Sequence, residues 1–208
     1  MSLRNPRPLT MLTLAVWLLV GLAVAFVLSL AFPQELFLAI GAALVAVAGI
    51  TGAAYWGIGR RWVIWLVFPT AGLAGLGAVM LGEDLALTES GERIEAVVVD
   101  HSVEVRDVVR KGRTSKAYTH RYTLERTDGQ PIEEPMEYRG EGGFDGVEEG
   151  STIEVFVDPD GRAPTKPTDS VDLEADVAIL VVGLVAVAGA FGVCARAVSG
   201  HVVTSTRY

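Results

Sequence analysis

The chain has 208 residues, half of them apolar, a formal net charge of −8 and a single cysteine. A composition this apolar, gathered into long uncharged runs, excludes one soluble globule, and a lone cysteine, Cys194, excludes an intramolecular disulfide framework. The acidic balance argues against nucleic acid as a partner, because phosphate neutralisation needs a basic surface.

The apolar residues fall into four runs, Leu9 to Phe32, Leu36 to Ile58, Trp62 to Gly82 and Val177 to Ala195, none of which contains Asp, Glu, Lys, Arg or His. Each is close to the ~20 residues an α-helix needs to cross a hydrocarbon core, so 9–32, 36–58, 62–82 and 177–195 read as transmembrane helices. The first run has the basic start of a signal peptide but exceeds the ~7–15 residues of a signal core, and a retained anchor is expected. Lipid tails are as apolar as leucine, so helices in a bilayer associate where small residues let backbones approach. Gly49, Ala53 and Gly57 recur every four positions in the second run. Ala71 with Gly75 and Ala74 with Ala78 do so in the third, and Gly183, Ala186, Gly189 and Gly192 recur every three in the fourth. These positions either pack a four-helix bundle or reflect only the abundance of Ala and Gly. Tyr55, Trp56, Trp62 and Trp65 flank Arg60-Arg61 and suit an interfacial belt. Trp17 lies deeper and is expected to pack against a neighbouring helix. Pro69 removes one backbone hydrogen bond from the third run.

Charge orients the runs. Short cytoplasmic segments carry Lys and Arg, and the six basic residues outside 83–172 are Arg4, Arg7, Arg60, Arg61, Arg196 and Arg207, which alternating spans place on one side. Residues 1–8 and 196–208 are therefore expected as cytoplasmic tails of a plasma-membrane protein, with 83–172 extracytoplasmic. That stretch holds 22 of the 25 acidic residues and 11 of the 17 basic ones, a net charge of −11. Arginine outnumbers lysine 14 to 3, which with many Ala, Val and Gly points to a bacterium with a GC-rich genome. Ionisable groups within spans mark pumps and transporters; their absence here, with no paired broken helices, argues against both, and an intramembrane metalloprotease lacks its zinc ligands.

Past a polar link at Leu87 to Gly91, the pattern within 88–168 changes from helical to alternating. Glu92 to Val105 and Ala117 to Glu125 read as strands joined through Arg110-Lys111-Gly112-Arg113, with Gly112 supplying the positive φ of a tight turn. A loop centred near Arg110 and Lys111 pairs Val97 with Leu124, Val99 with Tyr122, His101 with His120 and Val103 with Tyr118 on a core face. Asp100 then faces Arg121, and Ser102 faces Thr119, on a wet one. A two-residue shift would keep the faces and break the histidine pair. Met136 to Arg139 and Thr152 to Val157 read as further strands, separated by turn-forming segments at Asp128-Gly129-Gln130-Pro131 and Gly140 to Gly150. The expected fold is α+β: four transmembrane helices and a small antiparallel β-barrel or sandwich inserted between the third and fourth.

The run Gly150-Ser151-Thr152-Ile153-Glu154-Val155-Phe156-Val157-Asp158-Pro159, preceded by Arg121-Tyr122-Thr123-Leu124 and Thr127-Asp128-Gly129, resembles the closing signature of the bacterial membrane-protein family called domain of unknown function 3592. That signature is Gly-Asp-x-Val-x-Val-x-Tyr-Asp-Pro, and the chain departs from it at Ser151, Ile153 and Val157. The resemblance covers the outward domain, mainly its second half. It implies a membrane-tethered β domain with no known catalysis and transfers no active-site residue. Asp158-Pro159-Asp160-Gly161 also reads physically as a turn ending a strand.

His101 and His120 are candidate metal ligands, since imidazoles on adjacent strands can share an ion. Two ligands do not complete a site; packing, hydrogen bonding or a pH-sensing role are the competing readings. Arg110, Lys111, Arg113 and Lys116, with Arg106 and Arg121 beside them, gather positive charge at one hairpin, which suits an anionic headgroup or wall polymer or simple solvation. No Ser-His-Asp order or zinc-protease motif is present, and Gly140-Glu141-Gly142-Gly143 lacks the strand-to-helix context of a phosphate loop. The expected protein is non-enzymatic and without a cofactor, a multi-pass membrane protein whose outward domain meets membrane lipid or another membrane or envelope protein. The alternative is an oligomeric small channel or an accessory subunit of a transport complex; a homo-oligomer fits either reading.

Overall fold

The computed structural model describes residues 8–110, 113–159, 161 and 163–199. They form two compact units, one holding the residues up to Leu85 together with those from Leu173, the other Ala86–Asp172.

The helical unit is built from α1 (Pro8–Ala31), a short 3-10 turn (Pro33–Glu35), α2 (Leu36–Ile58), most of α3 (Trp62–Ser90) and α4 (Leu173–Ser199). All four α-helices are long and apolar enough to cross a membrane. Gly59 ends α2 in the left-handed conformation at φ 70°, its N–H donating to the Tyr55 carbonyl at 2.7 Å. This is the cap that a residue without Cβ provides most easily. The apolar run of α3 stops at Gly82 but its helix does not. Of the link expected at Leu87 to Gly91, only Gly91 lies outside the helix, because Ala86 and Leu87 are buried at helical spacing. Gly91 closes it by donating to the Leu87 carbonyl at 2.8 Å.

One stripe of α3 fills the centre of the bundle. Val63, Val67, Ala71, Ala74 and Ala78, at helical spacing, are each 2 % exposed or less. They meet Leu18 and Leu22 of α1, Val47, Ile50 and Ala54 of α2, and Val187, Ala190 and Cys194 of α4. Absent side chains set the closest approaches: a Cβ added to Gly77 would lie 2.5 Å from the Leu180 nitrogen, and one added to Gly183 2.5 Å from the Ala74 nitrogen. At Gly82 the same atom would lie 2.8 Å from the Phe26 carbonyl oxygen. Beside that crossing the Ser29 hydroxyl donates to the Val79 carbonyl at 2.7 Å, a partner that lipid could not supply. α3 runs through Pro69 without a break.

The expected packing positions divide. Gly183 sits at one of these tight crossings, and a Cβ added at Gly75 would meet Ala43 and Val47 in ordinary contact at 3.5 and 3.7 Å. Gly49, Gly57 and Gly189 would leave an added Cβ in open space, and Ala53 is exposed. The four-residue spacing in α2 carries no information about which side faces inward; the buried positions are Ala39, Ala43, Val47, Ile50, Thr51 and Ala54. Trp17, expected against a neighbour, is 66 % exposed.

The second unit is one antiparallel sheet of β1 (Glu92–Arg110), β2 (Arg113–Arg126), β3 (Pro131–Arg139), β4 (Thr152–Val157) and β5 (Lys166–Pro167), in the order β3-β2-β1-β4-β5. The inserted antiparallel β domain is therefore present, with a single sheet among the described residues. Its core gathers Ala96, Val98, Tyr122, Leu124, Met136 and Val155, covered by Val147 and Phe144 from the β3–β4 loop.

The β1–β2 register differs from the expected one. Arg110 pairs with Arg113, so beyond the bulge His101 faces Tyr122, Val103 faces His120, Val105 faces Tyr118 and Ser102 faces Arg121. The turn is centred one residue later than expected, which shifts the pairing by two, preserves the faces and separates His101 from His120 across the ladder. A bulge between Val98 and Asp100 then exchanges the faces. Ala96 and Val98 are in the core, Val98 facing Leu124, while Val97 and Val99 point away from it. In the run Val97-Val98-Val99, side-chain chemistry offers nothing to show where the exchange falls.

A larger residue at the α3–α4 crossing cannot be accommodated by a moving side chain, because the obstruction is backbone. Gly183→Val is expected to cost on the order of 1–3 kcal/mol of overpacking, read as a lower midpoint of thermal unfolding in detergent. Gly189→Val, in open space, leaves the midpoint unchanged.

Candidate functional site

β1 is 19 residues long, and its two edges are served unequally. β4 pairs with it only over Glu92–Val97, whereas β2 follows it as far as Arg110. β2 in turn meets β3 only from Thr119 onward. From Ser102 to Arg110, and from Arg113 to Tyr118, the two strands therefore form a ribbon with no further strand on either side among the described residues. Directly opposed residues of an antiparallel pair share a face. Val103, Val105, Asp107 and Val109 accordingly lie with His120, Tyr118, Lys116 and Thr114, and Ser102, Glu104, Arg106 and Val108 lie with Arg121, Thr119, Ala117 and Ser115. Val103, Val105, Val108 and Val109 are 45, 48, 42 and 72 % exposed.

The charge expected at this hairpin is partly compensated. Arg106 pairs with Glu104 at 2.6 Å and Arg121 with Glu137 at 2.7 Å; the Glu137 hydrogen bond and charge hold the Arg121 guanidinium still further above its ordinary range. Lys116 is exposed. Arg110 and Arg113 are the closing pair of the hairpin, and Lys111 lies outside the described residues.

An aromatic cluster stands at the ribbon's base. His101 is stacked on Tyr122, with ring centroids 4.3 Å apart, and its Nε2 lies 3.0 Å from Nδ1 of His120. The histidines thus meet diagonally although the register does not oppose them. Tyr138 meets His120 edge-on at 6.1 Å. The Tyr122 hydroxyl accepts the Phe144 N–H at 3.2 Å, and Gly143, at φ 71°, lies over that hydroxyl where a Cβ would come within 2.5 Å. His120 is 7 % exposed and its Nε2 has no hydrogen-bond partner. An orphaned N–H is rarer in protein interiors than an under-used acceptor, which favours the tautomer in which His120 donates from Nδ1 and His101 accepts at Nε2.

No group of three His, Cys, Asp or Glu able to hold a metal occurs among the described residues, so the pair forms a hydrogen bond in a packed cluster and supplies two of the several ligands an ion needs. Tyr122, Tyr138 and Phe144 complete the cluster. The alternation Tyr118-Thr119-His120-Arg121-Tyr122 carries the first of these in its period of two; nothing local marks the loop residue Phe144. On the other side of Phe144 lies an open cleft of about 690 Å³ bordered by Thr152, Asp145 and Asp169. Glu134 lies in β3, where burial and the charges of Asp158 and Glu137 push its carboxyl above the usual range.

Four membrane-length helices and an inserted sheet define the class: a multi-pass membrane protein carrying a β domain between its third and fourth helices. No family model, curated protein or solved structure matches the chain, so the particular assignment rests on its own residues.

Removing the Tyr122 hydroxyl leaves the Phe144 N–H without an acceptor. Tyr122→Phe is expected to cost about 1 kcal/mol, measured as faster hydrogen exchange of the Gly143–Val147 loop. For Glu134 the sign follows from a raised folded-state value: the charged form is disfavoured in the folded domain, and this penalty is relieved as pH falls through that value. Glu134→Gln should stabilise the domain at pH 7 and make no difference below the ordinary carboxylate value of about 4.3. Thermal unfolding of the two chains at both pH values checks this.

Proposed function

We propose that the chain is a non-enzymatic plasma-membrane protein of bacterial type that presents its acidic β domain outside the cell as a docking module for another membrane or envelope protein. The observation that carries this reading is the ribbon of β1 and β2, which holds exposed valines on both faces and leaves strand edges unpaired. Exposed, long strand edges are templates for pairing with another chain, and large apolar side chains left at a surface mark contacts with partners. The arginine distribution supports the orientation, since all six basic residues outside 83–172 fall on one side of alternating spans. Extensive exposed apolar surface on every helix, Trp56 at 86 % and Val45 at 75 % among it, suits contact with lipid. The kinship with the domain of unknown function 3592 family is part of the same proposal and rests on the Gly150 to Pro159 run.

The non-enzymatic reading is favoured because the histidines are engaged with each other and the Ser170 hydroxyl bordering the cleft beside Phe144 donates to the Pro167 carbonyl at 2.7 Å. The orientation has a direct test. A thiol introduced as Ser115→Cys should react with a membrane-impermeant maleimide in intact cells, whereas one introduced as Arg60→Cys should react only after the membrane is opened. Labelling in the reverse order would overturn the outward placement.

A further inference from the structure

Resting on that docking reading, we infer that the partner seated on the open edge of β1 is a second copy of this chain, paired antiparallel with Val105 on the two-fold axis. The backbone supplies the first half of the argument. Tyr118 turns its carbonyl away from β1, accepting the Gly140 N–H at 3.1 Å. Val105 is its opposite number. In an antiparallel ladder both members of such a pair point their backbone groups outward, so the N–H and C=O of Val105, and by alternation those of Val103 and Asp107, face the open edge. On that edge Val98 exchanges backbone bonds with Gly150 and Ser151. Among the described residues no strand serves the edge beyond it.

Charge supplies the second half. With Val105 opposite its own copy, Glu104 of each chain faces Arg106 of the other. Both residues stand on one face of β1, so two copies bring two opposite-charge pairs into register. The neighbouring registers that keep the faces aligned put Glu104 opposite Glu104 or Arg106 opposite Arg106, and like charges directly opposed are destabilising. Glu104 and Arg106 are exposed and already within 2.6 Å of each other in one chain, so pairing exchanges one contact for two crossed ones without burying an unpaired charge. Val105, which stands on the other face at 48 % exposure, is brought beside its own copy.

The test uses the full chain in native membranes, carrying Cys194→Ala and one introduced thiol. Val105→Cys should form a disulfide-linked species of twice the chain mass under mild oxidation, because a hydrogen-bonded pair holds its Cα atoms about 5.5 Å apart. Val109→Cys, although more exposed, should not, because the two copies of that residue lie roughly 26 Å apart along the strands. Equal cross-linking at both positions would show random collision and overturn the register. In the Val105→Cys background, Glu104→Arg and Arg106→Glu should each abolish the linked species. Co-expression of those two chains with different tags should restore a mixed one, which repair of an intrachain ion pair cannot do. Failure of the mixture to cross-link overturns the proposal. A photoreactive residue at position 105 separates the two readings: an adduct with a protein of another mass removes self-pairing and leaves the docking module, while no adduct at all removes both.

Discussion

Every backbone N–H and C=O in a strand needs a partner or water, and β1 has more of them than its own domain can serve. β2 follows one edge from Ala96 to Arg110; β4 satisfies the other for its first six residues only. The rest of the domain follows from this mismatch. Where both edges are paired, the sheet is wide enough to bury Ala96, Val98 and Tyr122 beneath Met136, Val147 and Val155. Where only one is paired, no core can form, since two strands alone cover neither face, and the valines of Ser102–Arg110 stay in the open.

The aromatic cluster stands at the boundary between these two regimes. His101 and His120 are the outermost residues of the covered face, and the ring of Tyr122 holds them from beneath. Hydrogen bonding between the imidazoles and from Phe144 to Tyr122 ties the ribbon to the glycine-containing β3–β4 loop. A polar pair is suited to this position because one histidine remains partly accessible while the other is buried.

Much of the architecture was legible in the amino-acid order because bilayer thickness acts on whole segments. Runs without a single ionisable residue leave few alternatives, and the end of α2 at Ile58 and both ends of β4 appear where the residues place them. What the order could not convey depends on single residues. The bulge that moves Val98 into the core and Val99 out of it changes no composition. The extension of α3 through Glu83 and Asp84 depends on which sides of a helix turn are covered, and Asp84 and Asp176, both buried in the helical unit, are acids that a hydropathy pattern assigns to water. Small residues at regular spacing likewise specify a stripe without a direction, and only packing separates Gly183 from Gly189.

An edge as long and apolar as that of β1 would ordinarily be an aggregation hazard, and the chain's answer is its charges. Asp100, Glu104, Arg106 and Asp107 interrupt the valines so that no three apolar residues adjoin between Asp100 and Arg110. Interruption alone would be served by lysines scattered along the edge, the commonest protection. Here the only cation between Asp100 and Arg110 is Arg106, two positions from Glu104, with Val105 between them. That placement still hinders indiscriminate stacking, because a two-residue slip of one strand in either direction opposes like charges, Glu104 to Glu104 or Arg106 to Arg106, while the register between them matches Glu104 with Arg106. Protection and recognition are thus written in the same residues, the usual form in which a surface excludes wrong partners while admitting one.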